Sequence, residues 1–431
     1  MYAVSGSLTT TAAELRTGQR NLFDYIQETC DRIEQVEARI HALLPEPGRP
    51  ARLLASAKEL QSQYPETSGR PPLYGVLLGV KDIYRVDGFE TRCGSALPPE
   101  LFAGREASVV TRLKEAGALI LGKTVTTEFA YFEPGPTRNP HDPEHTPGGS
   151  SSGSAAAVAA GFCPLALGSQ TVGSVIRPAA FCGVAGFKTS YGRVPLDGVI
   201  PYAPSLDHFG FFVPAAEDLS LVIAVLLGEI DLPAPASPVL GIPDGPYLAQ
   251  ATPEAAAAFE QQLQRLQEGG WSIRQVPVFD DIEAINRRHE RLAAVEIAQI
   301  HADWFASHAE LYRPRTAAWI REGQTVDDVE EGNGQVGRSV LRSQLHELMH
   351  EYGVDVWLSP AAPGPAPKGI AATGNPAMNL PWTYAGLPVA TVPAGEAENG
   401  LPLGLQVAGR FNDDHRVAAW AGKLSRSLQR R

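Results

Sequence analysis

At 431 residues, 44% hydrophobic and 19% charged, the chain carries enough apolar surface for a large core, which excludes wholesale disorder. Its 36 Lys+Arg against 48 Asp+Glu leave a net charge of -12, which excludes attraction of nucleic acid or anionic lipid by bulk charge. The length exceeds the usual domain of about 100–200 residues, so it allows two or three domains or one oversized sheet unit.

From about Ala12 to Leu44, Phe23, Ile26, Cys30, Ile33, Val36, Ile40 and Leu43 recur at spacings of three and four. That pattern predicts one long amphipathic helix, ended by Pro45 and Pro47. Tyr74–Lys81 reads as a buried strand entering a loop, Ala107–Ala118 as a helix, and Leu119–Leu121 as a short strand. A proline-broken loop from Glu133 to Pro147 leads to Gly148-Gly-Ser-Ser-Ser-Gly-Ser154 and a small-residue helix, Ala155–Ala160. The strand Pro164–Leu167 then enters Gly168-Ser-Gln-Thr-Val-Gly-Ser174. Asp231–Pro238 has the composition of a linker. Residues 239–350 carry a strand–helix–strand unit and polar helices, including Asp280–His308. Apolar runs flank Gly386 and Gly404, and a last helix covers Val417–Leu428. Strands alternating with helices predict an α/β sheet protein.

Cys30, Cys93, Cys163 and Cys182 lack C-x-x-C spacing and read as reduced thiols. The first residues show no signal-peptide pattern, and the longest apolar run, Leu221–Leu227, is far below the ~20 residues of a membrane span. A cytoplasmic protein is expected.

Three motifs match on paper. Gly117-Ala-Leu-Ile-Leu-Gly122-Lys123-Thr124 satisfies a phosphate-loop pattern, but its interior aliphatics read as a strand rather than a loop. Gly149-Ser-Ser151-Ser-Gly153 matches a nucleophile elbow without the apolar strand that should precede it. His346-Glu-Leu-Met-His350 matches a zinc-protease helix. No third ligand is indicated by spacing, so an ordinary helix face is expected, with a zinc hydrolase using His346 and His350 as the alternative of another class.

The chemistry concentrates elsewhere. Ser150 and Ser174 lie in glycine-flanked loops, one opening a helix and one ending a strand, which suits nucleophilic catalysis with backbone N–H groups as the oxyanion hole. Of the seven lysines, Lys81 ends an apolar run, so burial should favour the neutral amine that accepts a proton. A lysine snorkelling from a strand end is the competing reading.

Together, Gly79-Val-Lys81-Asp, Gly148-Gly-Ser150-Ser-Ser-Gly-Ser-Ala-Ala-Ala-Val and Gly168-Ser-Gln-Thr-Val-Gly-Ser174-Val-Ile-Arg-Pro-Ala-Ala-Phe-Cys-Gly183 resemble the amidase signature family. Gly186–Arg193, Ser205-Leu-Asp-His208 and Gly400–Gln406 agree, and the likeness is weakest across 232–350. The resemblance implies one large mixed β-sheet wrapped by helices. It further implies a single domain over 1–431, with an N-terminal helical segment, 1–70, packed on it and 232–350 as a variable elaboration. By the same resemblance Ser174 is the nucleophile, Ser150, after a cis peptide bond, relays the proton, and Lys81 is the base. The N–H groups of Thr171, Val172, Gly173 and Ser174 form the oxyanion hole. No metal and no cofactor are implied. The reaction expected is hydrolysis of a small amide through an acyl-enzyme.

The chain departs from the family's usual Gly at Ser152 and Val172, and it carries Ile176 and then Arg177 where relatives place Arg two residues after the nucleophile. Arg177 could bind a substrate carboxylate or brace the loop through backbone carbonyls. Gln170 and Tyr131 are the other candidate substrate-binding residues, with Tyr312 and Trp382 as candidate pocket walls or core aromatics. The expected partners are a small amide and, at most, a second copy of the chain as a homodimer, with no direct nucleic-acid contact and no membrane. The closest alternative is the amidase subunit of a glutamyl-tRNA amidotransferase. A non-catalytic binding protein on the same fold is the last reading.

Overall fold

A computed structural model describes residues 6–230 and 237–429; the predicted linker therefore lies largely outside the described residues. Its centre is one ten-stranded sheet built from β1 (Leu77–Lys81), β2 (Leu119–Thr124), β3 (Leu165–Gln170), β4 (Ala185–Lys188), β5 (His208–Val213), β6 (Leu240–Asp244), β7 (Ile273–Pro277), β8 (Val356–Pro360), β9 (Val389–Glu396) and β10 (Pro402–Ala408). The order across the sheet is β2-β1-β3-β5-β4-β9-β10-β8-β6-β7. Strands β2, β1 and β3 run parallel, β5 to β8 pair antiparallel through the middle, and β8, β6 and β7 are parallel again. The fold is a mixed sheet with helices on both faces, and its central strands are buried along their whole length, as strands covered on both faces must be.

The long helix expected over 12–44 is two helices. Leu8–Thr17 ends at Gly18, whose left-handed φ of 77° suits glycine. Asn21 then caps Leu22–Ile40, its side chain accepting from the N–H groups of Phe23 and Asp24. Of the predicted apolar stripe, Ile26, Cys30, Ile33, Val36, Ile40 and Leu43 pack with Tyr25, Ala155–Ala160 and Phe212 in one cluster, while Phe23 is half-buried against it. Residues 117–124 hold β2 itself, so the backbone there is laddered into the sheet and forms no phosphate loop.

The strand–helix–strand unit of 239–350 contributes β6 and β7 to the same sheet rather than forming a separate one. Its helices Ile282–Ile300 and Pro314–Gly323 cross closely, and Asp328–Glu351 packs beside them. Among the described residues no helix is long and apolar enough to cross a membrane.

Candidate active site

Parallel pairing sets Val80 against Leu167, so the ends of β1 and β3 place Lys81 beside Ser169. Lys81 is completely buried. Its Nζ lies 2.7 Å from Ser150 Oγ and 2.9 Å from Ser169 Oγ. Burial pulls its pKa down to about 7, against the smaller upward pull of the Asp207 and Cys93 charges. The snorkelling alternative therefore does not describe this side chain. Ser150 follows a cis peptide bond from Gly149 and is 3% exposed, and Ser174 is 7% exposed.

The loop between β3 and the helix Ile176–Cys182 is held from every side. Gln170 is buried, its amide nitrogen donating to Thr383 Oγ1 while its oxygen accepts from the N–H groups of Val175 and Ile176. Thr171 Oγ1 donates to Asp207, whose other oxygen accepts from the N–H groups of Tyr202 and Ala203. Burial raises the Asp207 carboxyl to about 6. Thr383 Oγ1 donates to the Val172 carbonyl at 2.7 Å, and His289 Nε2 donates to the Thr171 carbonyl at 2.9 Å. Asn379 is packed so tightly on Gly173 that a Cβ there would strike its side-chain oxygen. The Gly173 carbonyl accepts from the Arg177 N–H, so three carbonyls of the loop are engaged, and the N–H groups of Thr171, Val172, Gly173 and Ser174 meet no acceptor among the described residues.

Arg177 is 1% exposed. Its Nε and Nη2 donate to the Thr373 carbonyl and the Gly149 carbonyl at 2.9 and 2.8 Å, while Nη1 meets no acceptor among the described residues. Tyr131 stacks on Trp319 at 5.4 Å and tilts against Tyr202. Tyr202, Ile83, Ala130, Leu196, Asp207 and Ser169 border a cavity of about 240 Å³ beside the lysine. Tyr312 and Trp382 are core aromatics, one bonded to His301 and the other to the Tyr247 hydroxyl. His346 lies on Asp328–Glu351 and accepts the Phe411 N–H. Ser169, Thr383, Asn379 and His289 were not singled out from the sequence. Strand alternation could have exposed Ser169, two residues beyond Leu167 on the same face of β3. The others come from segments without a motif.

A family model described as Amidase matches residues 24–418. The chain belongs to the amidase family. Its residues 24–418 cover the whole site just described, so this amidase is a hydrolase of carbon–nitrogen bonds. It is 32% identical to a glutamyl-tRNA(Gln) amidotransferase subunit of Synechococcus sp. (strain WH7803), over 93% of each chain. It is 34% identical to the corresponding subunit of Thermus thermophilus, over 80% of this chain and 83% of the relative. A solved structure described as an amidase superposes with a TM-score of 0.88 at 33% identity, covering 98% of this amidase and 100% of that chain. These relatives correct the expectation of a small-molecule partner alone, with a homodimer at most. They are by name one subunit of an enzyme acting on glutamyl-tRNA(Gln), so protein partners enter the account. The net charge speaks only to direct bulk attraction of phosphate, and a partner protein can supply the contacts an acidic chain lacks.

Proposed function

We propose that this amidase releases ammonia from a small carboxylated amide, with glutamine the first candidate, as the amide-cleaving subunit of a larger assembly. The observation that carries the chemistry is a buried Lys81 amine held 2.7 Å from Ser150 Oγ. Neutral Lys81 takes the Ser150 proton as Ser150 takes that of Ser174, and Ser174 Oγ attacks the amide carbon. The negative oxygen gathers the N–H groups of residues 171–174, which meet no acceptor among the described residues. The C–N bond breaks as the proton returns through Ser150 to the departing nitrogen. Water, deprotonated by the same relay, then attacks the acyl-Ser174 ester and frees the acid.

Arg177 braces the Gly149 carbonyl, directly before Ser150, and its Nη1 is the donor left for a substrate carboxylate. The assembly reading is supported by curated relatives that match this chain almost end to end.

Ammonia release from glutamine and from uncharged amides tests the chemistry. Ser174→Ala should abolish it, and full activity in that variant would end the reading. Arg177→Ala should lower kcat for both amide classes, because Gly149 loses its donor, and raise KM for carboxylated amides alone, because Nη1 is lost; an unchanged KM for carboxylated amides would remove Nη1 from substrate binding. Affinity purification from the native cells should bring down stoichiometric partner proteins. A chain that purifies alone and works at full rate would overturn the assembly.

A further inference from the structure

The Thr171–Ser174 loop has an anchor that lies outside every segment carrying the family resemblance. A peptide unit is planar and trans, so its C=O and the next residue's N–H point to opposite sides. Whatever holds the Thr171 carbonyl therefore aims the Val172 N–H, and whatever holds the Val172 carbonyl aims the Gly173 N–H. Thr383 holds the second of these. The first is held by His289, from the middle of the helix Ile282–Ile300.

His289 is fully buried, with the Tyr384 ring 5.7 Å away. Burial lowers its pKa to about 4, so the ring is neutral at ordinary pH. A carbonyl can only accept, which fixes the tautomer with the proton on Nε2. Thr171 is thus clamped at its side chain by Asp207 and at its main chain by His289.

We propose that His289 is a positioning residue for oxyanion stabilisation, turning the Val172 N–H toward the oxygen that becomes negative during attack by Ser174. The inference rests on Ser174 as nucleophile. It makes the helix Ile282–Ile300, within the least recognisable stretch of the chain, a supplier of catalytic geometry.

The test compares full-length His289→Gln, His289→Asn and His289→Phe with the parent. Gln can place an amide donor near the Nε2 position, Asn falls short, and Phe keeps bulk without a donor. Two rates are read: ammonia release, and sulfonylation of Ser174 by phenylmethanesulfonyl fluoride, which also passes through an oxyanion-stabilised state. Removing a direct oxyanion donor costs about 10²–10³ in rate, so an indirect anchor should cost roughly 10–100-fold in kcat. His289→Asn and His289→Phe should show that loss in both rates with KM unchanged, and His289→Gln should recover most of it. Unchanged rates in His289→Asn, or a loss in His289→Gln equal to that in His289→Asn, would overturn the proposal. If His289→Phe does not fold, the Gln and Asn pair decides. A parent whose labelling persists in Ser174→Ala would instead overturn the nucleophile on which the inference rests.

Discussion

At Lys81, burial and hydrogen bonding act on the same atom toward one end. A neutral amine has two N–H donors and one lone pair, so it can donate to Ser169 while accepting from Ser150. Its pKa of about 7 makes the neutral form available near neutrality. The kcat/KM for ammonia release should therefore rise with pH through about 7 and level off above it, and Lys81→Met should abolish the rate. A limb far from 7 would remove Lys81 as the base. The same displacement affects stability. The folded value lies below the ordinary 10.5, so between pH 7 and 10.5 the unfolded chain binds the extra proton. Parent stability should fall relative to Lys81→Met as pH drops through that window, which urea midpoints at a series of pH values would show. Sequence alone points to Ser150 and Ser174 through their glycine-flanked loops and to Lys81 through the apolar run before it, and the fold places Lys81 Nζ beside Ser150 Oγ. Ser169 is open to strand alternation, but Asp207 and His289 are not readable as site residues, because their partners face them from across the fold.

Helix packing around His289 depends on a glycine whose neighbours leave no room. Gly323 ends Pro314–Gly323 against Ile282–Ile300, and an added Cβ would run into the Ala294 carbonyl. Gly323→Ala should destabilise the protein by about 1–3 kcal/mol, as overpacking does, and disturb the helix that carries His289. Gly332 lies on the exposed face of Asp328–Glu351 with nothing near its missing Cβ. Gly332→Ala should instead stabilise by about 0.5–1 kcal/mol. Urea midpoints moving in the same direction for both would refute the packing argument. Apolar periodicity found the helices but not their breaks. The apolar residues that recur begin at Phe23, so the pattern carries no mark of the break that Gly18 and the Asn21 cap make before it. Likewise Asp280–His308 divides at His301, whose ring is packed against Phe129, Trp304 and Tyr312. One of those partners, Phe129, comes from a segment far away in sequence, which local periodicity does not register.

Across the whole molecule, the strand order joins segments that length alone leaves open to several arrangements. β1, β3, β4 and β10 carry recognisable segments that span over three hundred residues, yet all lie in one sheet. β6 and β7, from the least recognisable stretch, extend that sheet beyond β8 as a parallel edge. One core cluster includes residues from Leu8 to Leu424. A second cluster packs apolar residues of 15–60 on Leu77, Leu119, Leu121, Ala166 and Phe212, residues of strands in the same sheet, so we expect the chain to unfold as a single cooperative unit. The six tryptophans make this measurable, since all lie at or after Trp271 while the helices of 8–63 contribute only to the far-ultraviolet signal. Tryptophan fluorescence thus follows the second half of the chain, and circular dichroism follows all of it. Coincident urea transitions by the two probes are expected for one domain. Fluorescence changing at a lower urea concentration than circular dichroism would show that the 232–350 region and its neighbours open first. The sheet would then be continuous in geometry but divided in stability.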